Sequence, residues 1–232
     1  MSQSDLSDVF EVGEGLPDEL PADPMPTFKG WLEEATARAE VPNPNAMTLA
    51  TVGEDGRPSA RIVLCKGVVP DPGYVVFYTN SRSRKGREIE ANPRVALTFH
   101  WDHAGRQVRL EGRAIRSPDE ESDAYFASRH WTSRLGAHAS EQSEPIESRQ
   151  ALLERVAERA IDLGLDLGAL LEGRDVEIPR PAHWFGYRVW VDRVELWCGG
   201  TGRIHDRAAW TRELGAGQTP TTGAWSGVRL QP

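Results

Sequence analysis

Cysteine is scarce in this chain: Cys65 and Cys198 are the only two among 232 residues, and they lie far apart with no Cys-x-x-Cys spacing. That excludes a zinc ribbon or a dithiol redox pair and leaves two thiols expected to serve as small buried hydrophobes. No run approaches the roughly 18 apolar residues a membrane span requires, so a soluble protein with no membrane partner is expected. Positive charge is also short. With 27 Lys and Arg against 35 Asp and Glu, the net charge is -8, a balance that repels a long polyanion and argues against a nucleic-acid partner. The N-terminus carries Asp5, Asp8, Glu11, Glu14, Asp18 and Glu19 where a secretory leader would be basic and then apolar, which makes the cytoplasm the expected location. A Walker P-loop and a G-x-G-x-x-G helix opening are both missing, so a Rossmann-type cofactor site is not expected. His100 and His103 have no matching set of carboxylates or thiols, and no metal is expected.

What is present reads as one globular domain. Hydrophobic residues make up 39% and charged residues 27%, near the globular range, and the length suits a single core. Residues 1–23, rich in Asp, Glu, Gly and Pro, are expected to form a disordered acidic tail, and residues 24–232 a single domain. From Thr27, the apolar positions Phe28, Trp31, Leu32 and Ala35 follow helical spacing, with Thr27 as cap. Ala46–Val52 and Pro58–Lys66 flank an Asp-Gly turn and read as a hairpin. Tyr74–Thr79, Arg94–Trp101 and Arg106–Ile115 read as further strands, with a short helix at Ser83–Ala91. Ser117, Pro118 and Glu120 have the pattern of a capping box opening a helix to about Ser128, and a second helix follows Pro145. Gly164–Gly173 gives no clear pattern. Strands return at Trp184–Val191, Val194–Trp197, near Ile204 and at the C-terminus. Mostly antiparallel strands with inserted helices predict a mainly β barrel with peripheral helices.

Cations recur at strand edges and turns: Arg61, Lys66, Arg84, Lys85, Arg106, Arg129, Arg134, Arg203 and Arg207. Guanidinium forks match phosphate oxygens, so their convergence would suit more than one anionic group. Tyr125 and Arg129, four apart on an expected helix, would share a face and could act as a joint clamp. Arg61 and Lys66 differ by an odd number of positions, so a regular strand would point them to opposite faces; serving adjoining ligands would require a twist, a bulge or a passage between them.

Six ordered blocks then give a family resemblance. Arg61-Ile62-Val63-Leu64-Cys65-Lys66, Tyr78-Thr79-Asn80 with Ser83-Arg84-Lys85, Arg106-Gln107-Val108, Tyr125-Phe126-x-Ser128-Arg129 with Ser133, Gln142-Ser143, and Glu195-Leu196-Trp197 with Arg203-Ile204-His205-Asp206-Arg207 resemble the successive motifs of pyridoxamine 5'-phosphate oxidases. The likeness runs from about Pro24 to Pro232. It implies an FMN-binding split β-barrel, a homodimer with FMN at the interface, and oxidation of pyridoxamine or pyridoxine 5'-phosphate by O2 to pyridoxal 5'-phosphate and hydrogen peroxide. By the resemblance, the cofactor contacts are Arg61, Ile62, Val63, Leu64, Lys66, Tyr78, Thr79, Arg84, Lys85, Gln107, Gln142, Ser143, Trp197 and Arg207. Lys66, Tyr125, Arg129 and Ser133 would cradle the substrate phosphate. Arg203 and His205 would lie over the pyridine ring as the catalytic pair, orienting the substrate and assisting proton loss as its carbon yields hydride to the flavin.

Cys65 stands where the family more often has an aliphatic residue, and the Leu/Gly-rich stretch before Val176 reads as an insertion. The ending Arg229-Leu230-Gln231-Pro232 is similar to that of related phenazine-biosynthesis flavin oxidases. A phenazine-type oxidase is therefore one alternative, although a precursor without phosphate would not need the Lys66, Tyr125, Arg129 and Ser133 cradle. A non-catalytic FMN or pyridoxal-phosphate binding protein on the same barrel is the other.

Overall fold

The computed structural model describes residues 9–10, 13–174 and 176–232. Its contacts divide the chain into two compact units: the described residues of Met1–Phe77, Asn92–Ile115 and Arg188–Pro232 form the first, and Tyr78–Ala91 with Arg116–Tyr187 the second.

The first unit is built on antiparallel strands. β1 (Ala46–Val52) and β2 (Pro58–Leu64) form the expected hairpin, registered from Ala46 opposite Leu64 to Val52 opposite Pro58. Gly56 sits at φ 77 in the turn, where a side chain would be strained. β5 (Arg94–Trp101) and β6 (Arg106–Arg116) pair from Arg94 opposite Arg113 to Trp101 opposite Arg106. The expected break near residue 192 does not occur, since β7 runs unbroken from Trp184 to Cys198, the part from Arg188 lying in this unit. Ile204 lies outside the strand expected around it; β8 covers Asp206–Thr211 and β9 Ser226–Leu230. A three-residue strand that the sequence did not suggest, β3 (Gly67–Val69), pairs with β4 (Tyr74–Asn80).

Strands follow the order β2-β1-β5-β6-β7-β4-β3, with β8 on β7 and β9 on β8. β2 and β3 thus stand at opposite ends of the path, yet only Cys65 and Lys66 join them. The Cys65 N–H donates to Asn45 O at 2.9 Å and the next one, Lys66 N–H, to Val76 O at 2.7 Å, so the backbone changes pairing partner between consecutive residues. A sheet whose two end strands are joined so tightly must curl, as a barrel sheet does. The same joint answers the Arg61 and Lys66 spacing: they belong to different pairings, and a parity count along one strand does not apply.

Alternation sets the two faces of this sheet. Val95, Leu97 and Phe99 of β5, Val108 and Leu110 of β6, Val194 and Leu196 of β7, and Ala208 and Trp210 of β8 are buried. The helix α1 (Met25–Arg38) packs on this core, Phe28 meeting Phe99 with ring centroids 5.0 Å apart. It starts two residues before Thr27, the expected cap, because the Asp23 carboxylate accepts the Met25 N–H at 2.8 Å. Of the expected N-terminal tail, residues 1–8, 11 and 12 lie outside the described residues. Further along it, Leu16 is buried and donates its N–H to Asp206 Oδ2 at 2.7 Å, while the Trp210 indole donates to Pro21 O at 2.8 Å.

The second unit is mainly helical, with α2 (Arg84–Ala91), α3 (Asp119–Ala127), α4 (Trp131–Ala139), α5 (Arg149–Asp162) and α6 (Leu167–Leu171). Leu135, Ala160 and Ile178 form one small buried cluster in it, flanked by Trp131, Val156, Leu163 and Leu165. The expected capping box is displaced: Pro118 occupies the N-cap with no side-chain bond, and Ser117 Oγ instead donates to Glu121 Oε1 at 3.2 Å. α5 is capped by Ser148, whose hydroxyl accepts the Ala151 N–H at 3.0 Å. The unreadable Leu/Gly stretch contains α6, capped in the same way by Asp166.

Candidate functional site

In the second unit, three residues expected at the cofactor converge from separate elements. Thr79 is the last residue but one of β4, Lys85 lies in the first turn of α2, and Gln142 follows α4. The Lys85 ammonium, on a residue only 9% exposed, donates to Thr79 Oγ1 at 3.2 Å, Ser83 Oγ at 3.2 Å and Gln142 Oε1 at 2.9 Å. Burying an ammonium is costly unless hydrogen bonds and charge hold it, so this placement marks a position of interest. The local sequence explains the cluster: Asn80 O accepts the Ser83 hydroxyl at 2.6 Å, and Gly86 permits a close approach that a Cβ would block at 2.2 Å from Ser81 O. Ser143 follows Gln142 with a left-handed φ of 79, unusual for a residue bearing a side chain. Arg84 behaves differently. Its side chain is 60% exposed and its Nε donates to Glu88 Oε1 at 2.8 Å, so the helix holds it through an i,i+4 pair.

A second group in this unit is aromatic. Tyr78 stacks on Tyr125 with ring centroids 4.0 Å apart and on Trp184 at 5.4 Å, and the Arg129 guanidinium lies 4.6 Å from the Trp184 ring centroid. Tyr125 and Arg129 do meet one surface, but not as neighbours on one helix: α3 ends at Ala127, and a tight turn in which the Arg129 N–H donates to Phe126 O at 3.2 Å brings Arg129 back. Burial lowers the pKa of Arg129 from its ordinary value, with Tyr125 opposing that shift. Its Nη1 is buried and has no hydrogen-bond partner among the described residues. A donor in that state seeks an acceptor, and an anion is the acceptor that best offsets a desolvated guanidinium. Ser133 lies in the first turn of α4, its N–H donating to His130 O at 2.9 Å.

In the first unit, the outward face of β6, β7 and β8 gathers the rest. Gln107 and Arg109 alternate with buried Val108 and Leu110; Glu195 and Trp197 alternate with buried Leu196; Arg207 stands directly opposite Trp197. His205, two residues before Arg207, brings its ring to 4.6 Å from that of Trp197. The His205 Nδ1 accepts the Gly200 N–H at 3.1 Å, which in the neutral ring leaves the proton on Nε2. Arg203 is exposed on the preceding turn with φ 65, next to Gly202 at φ 64, a pair of left-handed residues that turns the chain sharply. Arg61 donates to the Thr51 and Ser59 hydroxyls and to Leu49 O at 3.3 Å. On the same strand Ile62 is 63% exposed, Val63 and Leu64 are half-buried, and Lys66 is exposed just past the strand end.

The donor sets fit a phosphorylated flavin in kind. Lys85 with two hydroxyls and an amide suits phosphate or polyol oxygens, and Trp197 with Gln107 offers a ring face and an amide to a polar heterocycle. Reasoning from sequence passed over Ser83, Trp184, Arg109 and Glu195 as site residues. Ser83 and Glu195 did stand in the quoted motif blocks, Ser83 beside Arg84 and Lys85, and Glu195 two positions from Trp197 and hence on its face of the strand.

Comparison with known proteins gives the arrangement a context. Residues 33–161 match the family model described as pyridoxamine 5'-phosphate oxidase, and residues 184–232 match the pyridoxine 5'-phosphate oxidase C-terminal dimerisation region. The pyridoxine/pyridoxamine 5'-phosphate oxidase of Rubrobacter xylanophilus is 54% identical over 90% of this chain and 87% of its own length. The protein of the same name from Chromobacterium violaceum is 47% identical over 100% of this chain and 99% of its own. Among solved structures, PhzG from Burkholderia lata 383 in complex with tetrahydrophenazine-1-carboxylic acid is 31% identical, with a TM-score of 0.77 over 93% of this chain and 95% of that one. A pyridoxamine 5'-phosphate oxidase-related, FMN binding protein from Nostoc punctiforme shares the fold at 18% identity, with a TM-score of 0.66 over 92% and 100% of the two chains. Sheet, helices and relatives agree on the split-barrel architecture expected from the sequence.

Proposed function

Because the chain belongs to the pyridoxamine 5'-phosphate oxidase family, we propose that it oxidises pyridoxamine or pyridoxine 5'-phosphate with O2, using FMN, to pyridoxal 5'-phosphate and hydrogen peroxide. The observation that carries the phosphorylated substrate is Arg129, a desolvated guanidinium braced on Trp184 with a buried Nη1 lacking a hydrogen-bond partner among the described residues. Lys66, Tyr125, Arg129 and Ser133 form the proposed phosphate cradle; its two cations match the charge of a phosphate monoester, close to two at neutral pH. Arg61, Ile62, Val63, Leu64, Lys66, Tyr78, Thr79, Arg84, Lys85, Gln107, Gln142, Ser143, Trp197 and Arg207 are the proposed cofactor contacts. The convergence of Thr79, Lys85 and Gln142 supports that part of the reading.

When bound, the flavin supplies the redox chemistry, taking up hydride and passing the electrons to O2. This chain's residues bind and orient. Phosphate grip is remote from the reacting carbon, and such binding energy can be used to hold that carbon at a reactive distance. Arg203 and His205 are the proposed catalytic pair. The Arg203 guanidinium carries only donors, and His205 Nδ1 is occupied by the Gly200 N–H, so in this arrangement each side chain offers a hydrogen-bond donor to the substrate. Orientation, rather than acceptance of the substrate's proton, is the role this geometry supports.

A second reading, a phenazine-type oxidase, is favoured by the likeness to PhzG. The visible spectrum of the purified protein, followed by oxygen uptake with pyridoxamine 5'-phosphate, pyridoxine 5'-phosphate and tetrahydrophenazine-1-carboxylic acid, separates the two. Uptake with the vitamer phosphates is expected; uptake with the phenazine acid alone would replace the first reading by the second. Arg203→Ala is expected to lower turnover by about 100-fold or more while leaving flavin content nearly intact, and unchanged turnover would remove Arg203 from the pair. The C-terminal dimerisation region makes a homodimer the expected assembly, with FMN at the interface as part of the proposal, and a cytoplasmic location is proposed with it.

A further inference from the structure

On the outward face of β6, β7 and β8, one carboxylate engages two arginines. Glu195 is 4% exposed. Its Oε1 accepts from Arg207 Nε at 3.1 Å and from Arg207 Nη2 at 2.8 Å, and its Oε2 accepts from Arg109 Nη1 at 3.1 Å. Arg207 Nη1 donates in turn to Gln231 O at 2.9 Å. These bonds occupy three of the five N–H groups of the Arg207 guanidinium and fix the plane of the fork, leaving two to donate elsewhere. The register explains why the contact forms: Arg207 faces Trp197, so Glu195 is its diagonal neighbour on the same face.

We propose that Glu195 is a positioning residue that aims Arg207 at the flavin, and that Arg109 is the counter-charge allowing a buried carboxylate to stand there. This rests on the reading of Arg207 as a cofactor contact. A free arginine side chain samples many rotamers, and one carboxylate oxygen accepting from both Nε and Nη2 removes that freedom before any ligand arrives. An uncompensated buried carboxylate would repel an anionic cofactor. Here both of its oxygens are engaged by guanidinium groups, and with Arg109 included the three side chains carry one net positive charge. The Arg207 and Glu195 pair by itself is formally neutral, so what it presents is a directed hydrogen-bond donor rather than a loose cation. Glu111 accepts from Arg109 Nη2 at 3.4 Å and bounds the cluster on its far side.

The test is a double-mutant cycle on the protein reconstituted with FMN, reading the rate at which free flavin fluorescence appears on dilution. Glu195→Gln keeps the shape of the side chain and removes its charge; we expect FMN to leave about tenfold faster than from the wild type. In an Arg207→Met background, Glu195→Gln should cause no further loss, because the residue it acts through is gone. An equal loss in both backgrounds would make Glu195 a general prop of the sheet and overturn the proposal, as would an unchanged release rate in Glu195→Gln alone. Thermal unfolding checks that each variant folds. Should Glu195→Gln fail to fold, Glu195→Asp, which keeps the charge and shortens the reach, takes its place in the same cycle with the same expected outcomes. A wild-type protein that takes up no FMN would overturn the underlying functional reading, and this inference with it; that result is distinct from one in which only the variants behave unexpectedly.

Discussion

Burial decides the chemistry of the two thiols. Desolvation pushes the pKa of Cys65 up to about 11, against weaker opposing hydrogen bonds from Gly67 and Val76, and it pushes Cys198 to about 11 as well. A thiol raised in this way stays protonated, so the nucleophilic thiolate is about one part in a thousand at pH 8. An aromatic disulfide reagent at that pH is expected to label neither cysteine in the folded protein and both in denaturant; rapid labelling of the native state would contradict the burial. The linkage has a definite sign. An unfolded cysteine ionises near its ordinary value of 9.0 while the folded one holds its proton to about 11, so stability declines as pH rises through that interval. At this scale the sequence was legible for residue type but not for engagement. Two isolated cysteines already read as buried hydrophobes, and Glu88 four residues after Arg84 on an expected helix foreshadows their pair, whereas nothing in the order of residues marks Arg129 as the guanidinium whose Nη1 is buried and has no partner among the described residues. The guanidinium of Arg129 is braced instead on the ring of Trp184, which lies 55 residues further on and which no local pattern brings to it.

At the scale of elements, the close strand approaches are the sharpest constraint. A Cβ added to Gly112 of β6 would lie 2.1 Å from Trp190 O on β7, and backbone cannot yield there as a flexible side chain could. Gly112→Ala is therefore expected to cost about 1–3 kcal/mol, lowering the thermal midpoint by about 2–4 °C per kcal/mol. Gly136→Ala in α4 meets nothing within 4 Å and should stabilise slightly through helix propensity. Calorimetry on the two variants checks the contrast, and equal midpoints would contradict the approach at Gly112. Local patterns gave the hairpin of β1 and β2, the span of β5 and the positions of α1 and α5 within a few residues, because each is specified by its own alternation, spacing or turn. They failed where neighbours override local preference. Asp192 and Arg193 read as a break in β7, but pairing on both flanks carries the strand through them. The Ser117 box was displaced because Ser117 serves the β6 end, its N–H donating to Gly186 O at 2.9 Å, before the helix starts.

For the molecule as a whole, the match of residues 184–232 to a dimerisation region leads to an expected solution mass of twice the 25.7 kDa chain. Sedimentation equilibrium at micromolar concentration should show that species; a stable monomer would set this chain apart from the family's C-terminal region. No helix among the described residues is long and apolar enough to cross a membrane, and those residues hold no cluster of ligands suited to a metal ion. The joint at Cys65 and Lys66 has a practical corollary for anyone engineering this protein. It offers no slack: a tag, a fused domain or new chain ends inserted there would pry apart the two ends of the sheet. The tip of the first hairpin, exposed around Glu54–Gly56, is the place where foreign sequence can be spliced in without tugging on the barrel.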